Sequence, residues 1–153
     1  MSSINTEQPE TIAALLKEVL QQGCFPAALL KSEEGRKLVD LVAPGDDGKF
    51  QGRSVSTRAD FATQFLSAAC ARYPDRVGAL EVLLMIGDNR EMTLTARRDE
   101  VAELGHADSG DSFRRRKEAD WLFDVAVELQ IVAEGDLASF VRVEQLDLNL
   151  DRP

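Results

Sequence analysis

The stretch from Thr93 to Leu129, TLTARRDEVAELGHADSGDSFRRRKEADWLFDVAVEL, constrains the fold more than any other. Thr93 or Thr95 offers an N-cap to a helix carrying Arg97, Arg98, Val101, Ala102 and Leu104, and Gly105 can end it. Asp111 or Ser112 can cap a second, longer helix that should bury Phe113, Ala119, Leu122, Ala126 and Leu129. Arg114, Arg115, Arg116 and Lys117 open that second helix and span a full turn, so at least two of them must project away from the core.

The rest of the chain supplies further helices to pack around this pair. Behind Pro9, the residues Ile12, Leu15, Leu16, Val19 and Leu20 fall at helical spacing, and Gly23 can take the left-handed stop. Ser32 is an N-cap candidate for a helix that buries Leu38, Val39, Leu41 and Val42, ended by Pro44. The segment from Ala43 to Ser56 is the longest irregular one, and Lys49 to Gly52 within it reads as an ordinary connection or an exposed contact loop. Ser56 should cap the next helix, whose Phe61, Phe65 and Ala69 form one stripe. Val77, Leu80, Leu83 and Leu84 make a strongly apolar helix expected at the centre, closed by Gly87-Asp88-Asn89.

Strand signals are confined to Phe140–Val143 and to the alternating Leu146, Leu148 and Leu150. The expectation is therefore an all-α, compact bundle of about six or seven helices over residues 1–143. An extended or disordered acidic tail over 144–153 follows it, with one apolar edge of the kind used in strand addition.

At 153 residues the chain is long enough to bury a core without disulfides or metal. Cys24 and Cys70 lie inside apolar runs with no second cysteine near in sequence, which reads as buried free thiols. No apolar run approaches the ~18 residues of a membrane span, and the N-terminus has no leader pattern, which gives a cytoplasmic expectation without membrane contact. The net charge of -9 repels a phosphate backbone at long range.

LTARRDEVAELG followed by SFRRRKEADWLFDVAVEL resembles a helix-turn-helix-like module of uncharacterised actinobacterial proteins. In that pattern paired arginines precede small apolar residues and Leu-Gly, then a turn, then Phe-Arg-Arg and a glutamate ahead of an apolar helix. YPDRVGALEVLLMIG resembles its upstream helix, so the likeness covers about residues 73–130. It implies a fold unit and no particular activity. The connection GHADSGDS is longer than the tight turn of a DNA-reading unit and carries Asp108 and Asp111.

Three readings of the cations stand open. They pair within the helix, Arg114 with Glu118 and Arg116 with Asp120. Or they meet an acidic protein partner, or they meet DNA. From Arg97 to Lys117, six cations face five anions, a small basic surplus for a DNA reader unless a homodimer doubles it. His106 is the only histidine and has no activated nucleophile beside it, and no Gly-rich phosphate loop occurs. No catalytic residue, cofactor or metal ligand is assigned.

The leading expectation is a non-enzymatic regulatory or adaptor protein that binds another protein through Arg97, Arg98, Arg114, Arg115, Arg116, Lys117 and Trp121. The alternative is a helix-turn-helix DNA-binding regulator acting as a dimer. A third reading is an assembly subunit whose tail docks on a neighbour.

Overall fold

The computed structural model describes residues 8–46, 48–86 and 92–135. Its helices are α1 (Gln8–Val19), α2 (Pro26–Leu29), α3 (Glu33–Val42), α4 (Val55–Ala71), α5 (Val77–Leu84), α6 (Leu94–Val101), α7 (Gly110–Phe113) and α8 (Ala119–Glu134). The turn Arg114–Glu118 keeps helical backbone angles at both ends, so α7 runs into α8 as one rod. On that count the described residues hold seven helices and no strand. The tail expected over 144–153 and the strand-like Phe140–Val143 lie outside the described residues.

The centre of the bundle is α8, packed on α1, α3 and α4. The sequence places that centre at 77–87 instead. The α5 helix is as apolar as expected, but it is only eight residues long and packs on α4 and α6. It stops at Leu84, ahead of Gly87, because Met85 takes the left-handed conformation (φ 56°). Residues 87–91 are outside the description.

The core joins Ile12, Leu16 and Val19 of α1 to Phe61, Phe65 and Leu66 of α4 and Val125 and Leu129 of α8. The aromatic stripe is core, as its spacing predicts. Phe50 adds to it, with its ring centroid 4.9 Å from Phe61 and 5.9 Å from Phe65. Phe50 is 1% exposed and anchors the connection, while Lys49, Gln51 and Gly52 around it are exposed. Beside it Lys49 Nζ donates to the carbonyls of Ala133 and Gly135, and this places a cation on the negative end of α8.

Ser32 caps α3 as expected, accepting from the Gly35 N–H at 2.9 Å. The cap of α4 is Ser54, which accepts from Thr57, and not Ser56. Each serine has a residue with a backbone N–H three positions on, and sequence alone does not choose between them. Cys24 and Cys70 are free and buried, as the apolar runs predict, and burial pushes both thiols up to about 12.

A candidate interaction site at the α6–α8 corner

Thr93 caps α6, accepting from the Ala96 N–H at 3.0 Å. The helix continues past Val101 through a wide turn, Ala102–His106, in which Gly105 adopts φ +101°. A side chain there would be strained, which is why the chain turns at glycine. Ser109, rather than Asp111 or Ser112, caps the next helix. Gly105 is non-helical and ends the first helix as its position predicts, so the connection runs from Gly105 to the Ser109 cap. It is shorter than the eight-residue reading because Gly110, Asp111 and Ser112 belong to the second helix.

Gly110 closes the corner. A β-carbon at this position would lie 2.3 Å from Asp99 Oδ1 and 2.8 Å from the Asp99 backbone nitrogen. The two helices therefore cross in near backbone contact, and only hydrogen fits between them.

The turn Arg114–Glu118 is π-helical, and that has a specific effect on which residues face out. In a regular α-helix Phe113, Lys117 and Trp121 would share one face, four residues apart. The inserted residue moves Glu118 to the inward position and leaves Arg114, Arg115, Arg116 and Lys117 all exposed. Phe113 (0% exposed) and Glu118 (4%) bracket them.

Glu118 points inward because Arg98 meets it. Arg98 Nε and Nη2 donate to the two Glu118 oxygens at 2.7 and 2.8 Å, a bidentate bridge with side-chain exposures of 19% and 6%. The intrahelical pairing expected for Arg114 with Glu118 does not form. Instead Arg114 and Arg115 both reach back to Asp111, at 2.8 and 2.9 Å. The hydrogen bond from Arg114, with that from Arg115, holds the Asp111 carboxyl below the usual carboxylate range. Lys117 Nζ donates to the His106 carbonyl, which ties the ridge to the corner without neutralising its charge. The pairing expected for Arg116 with Asp120 is not among the ion pairs of the described residues.

Three of the residues expected on the binding face, Arg97, Arg98 and Trp121, are committed elsewhere. Arg97 is 0% exposed and cannot contact a partner. Its guanidinium donates to the carbonyls of Met92, Leu83 and Gln21, so it ties the ends of α5 and α1 to the start of α6. Burial lowers its pKa from the ordinary arginine value. Helical spacing explains both findings: consecutive arginines sit ~100° apart on a helix, so one enters the core while its neighbour meets Glu118. Arg98 is likewise spent in its bridge.

Trp121 is the third correction, being 5% exposed. Its ring meets Phe113 edge-on at 4.9 Å and His106 at 5.0 Å. Arg76 lies over it at 4.9 Å from the centroid, held by Asp124 at 2.9 Å. Trp121 thus floors a cleft of about 320 Å³ lined by Asp75, Arg76, His106, Lys117 and Asp120. Arg76 was missed by sequence reasoning: its partner Asp124 lies 48 residues away, and no spacing rule links them.

The described residues contain no cluster of three or more His, Cys, Asp or Glu side chains fit to hold a metal ion. No helix among them is long and apolar enough to cross a membrane. Comparison with protein-family models, with curated proteins and with solved structures finds no match.

Proposed function

We propose that the chain is an interaction module that docks an acidic segment of another protein on Arg114, Arg115, Arg116 and Lys117 and in the adjoining cleft. One observation carries this reading: four successive exposed cations stand on the surface of an otherwise acidic chain, and the ion pairs they make go to one carboxylate, Asp111, while Asp75 and Asp120 line the cleft beside Lys117. Arg97 and Arg98 do not contact the partner. They hold the helices that present the ridge. Trp121 supports the cleft floor rather than inserting into a partner.

A DNA-reading dimer is the second reading, favoured by the short connection from Gly105 to Ser109 and by cations early in the second helix. Asp111 on the first turn of that helix, and the net charge of -9, favour the acidic partner over phosphates.

Fluorescence anisotropy separates the two. A labelled peptide of alternating glutamate and leucine and a labelled random-sequence DNA duplex are titrated at low salt with wild type and with Arg116→Glu/Lys117→Glu. Saturable peptide binding that the double reversal abolishes supports the docking module. Peptide affinity unchanged by the reversal, or binding of the duplex alone, overturns it.

A further inference from the structure

Trp121 is buried, and its ring is met by Phe113, His106 and Arg76. Its indole N–H, by contrast, has no hydrogen-bond acceptor among the described residues. A buried tryptophan N–H normally finds a partner, so this donor is left for solvent or a ligand. The open space that Trp121 lines is the cleft of about 320 Å³ between the start of α8, the turn at His106 and the residues ahead of α5. Two cations and two carboxylates stand around that floor. Arg76 gives one nitrogen to Asp124 and Lys117 gives one proton to the His106 carbonyl, and each keeps further donors. Asp75 and Asp120, both exposed, bring acceptors to the same cleft.

We infer that this cleft receives the C-terminal residue of the acidic partner. The terminal carboxylate takes hydrogen bonds from the indole N–H, Arg76 and Lys117, and the last backbone N–H donates to Asp75 or Asp120. The mixture of charges selects this group. A chain end carries a carboxylate with an N–H donor fixed beside it by covalent structure. A glutamate side chain within a segment holds its carboxylate a flexible side chain away from the nearest N–H, and a phosphodiester brings acceptors alone. Either would leave Asp75 and Asp120 facing a like charge. The volume also lies at the small end of ligand clefts, about 300–1,000 Å³, which suits one terminal residue better than a segment passing through. Lys117 belongs to both cleft and ridge, so glutamates ahead of the terminus continue onto Arg116 and Arg115. The inference rests on the docking reading for the source of the chain end, while the cleft can be probed without the ridge.

The indole N–H signal of the isotope-labelled full chain tests it, since Trp121 is the only tryptophan. The probes are N-acetyl-glutamyl-leucine as the free acid and as the C-terminal amide. The free acid should move the signal saturably, and the amide should leave it in place. By anisotropy, the longer glutamate–leucine peptide, labelled at its N-terminus, should bind about tenfold or more tighter as the acid than as the amide. Trp121→Phe keeps an aromatic floor without the N–H, and should shrink that ratio with helical content unchanged. Equal binding of acid and amide, or an indole signal that ignores the acid, overturns the inference. So does free leucine moving the signal as far as the dipeptide, which makes a free amino acid the occupant. The two readings fail separately. Long acid and amide that bind alike, and are both lost on Arg116→Glu/Lys117→Glu, leave the docking module standing and remove the chain end. A dipeptide recognised only as the acid, with no binding of the longer peptide, keeps the cleft and removes the ridge.

Discussion

Replacing Arg98 by methionine strands the Glu118 carboxylate, and the size of the loss follows from its burial. The Glu118 side chain is 6% exposed, and both of its oxygens take their hydrogen bonds from Arg98. Removing one partner of such a pair costs about 3–5 kcal/mol, because the remaining charge is left desolvated. An exposed pair would cost about 1 kcal/mol or less. The two cases differ enough for urea unfolding to separate them, read as a shift in midpoint at constant slope. Arg98→Met/Glu118→Met should recover most of the loss, since a buried ion pair replaced by packed apolar side chains is often neutral or stabilising by about 1–4 kcal/mol. The coupling energy from the four proteins is then about 3 kcal/mol or more. A single-variant loss below about 1 kcal/mol, or losses that simply add, would refute the idea that this bridge clamps α6 to the rod.

Further expectations concern the same corner. Arg97→Met removes the donors to three carbonyls, that of Leu83 buried and those of Met92 and Gln21 part-buried, and should cost about 3 kcal/mol, with Arg97→Lys recovering only part because an ammonium lacks the guanidinium fork. Calorimetric or urea unfolding measures both. Gly110→Ala forces the helices apart against the Asp99 backbone and should cost about 1–3 kcal/mol by the same assay. Asp111→Asn frees Arg114 and Arg115 and should tighten acidic-peptide binding about 2–5-fold, the worth of an exposed ion pair. The Asp111 carboxyl sits below its ordinary value, so its ties to the arginines hold above the usual carboxylate range and are lost as pH falls through the depressed value. In wild type, peptide binding measured against pH should therefore rise where Asp111 protonates, provided the peptide's own carboxylates are replaced by sulfonates.

Helix positions and the buried stripes were legible because they depend on spacing that lies within one segment. Ser32, Thr93, Gly105 and the Phe61–Phe65 pair all fall where local pattern puts them. The misreadings share a different cause. Arg97 and Arg98 look alike in sequence, and only the carbonyls of Leu83 and Gln21 on one side and Glu118 on the other decide their places. The π-helical turn is also invisible locally, since RRRKE reads as ordinary helix until Phe113 and Glu118 must both face inward. Trp121 reads in sequence as part of the binding face, and it is a cleft floor instead because Arg76 and His106 arrive from elements that no short-range rule brings near.

The central claim is that the ridge beside Trp121 receives an acidic partner. Trp121 is the only tryptophan, so its emission reports that corner alone. Titrating the glutamate–leucine peptide into the full chain should shift Trp121 emission saturably, with the shift abolished by Arg116→Glu/Lys117→Glu and weakened by salt. Emission that stays constant while peptide binds, or that shifts equally in the reversed variant, would contradict the account.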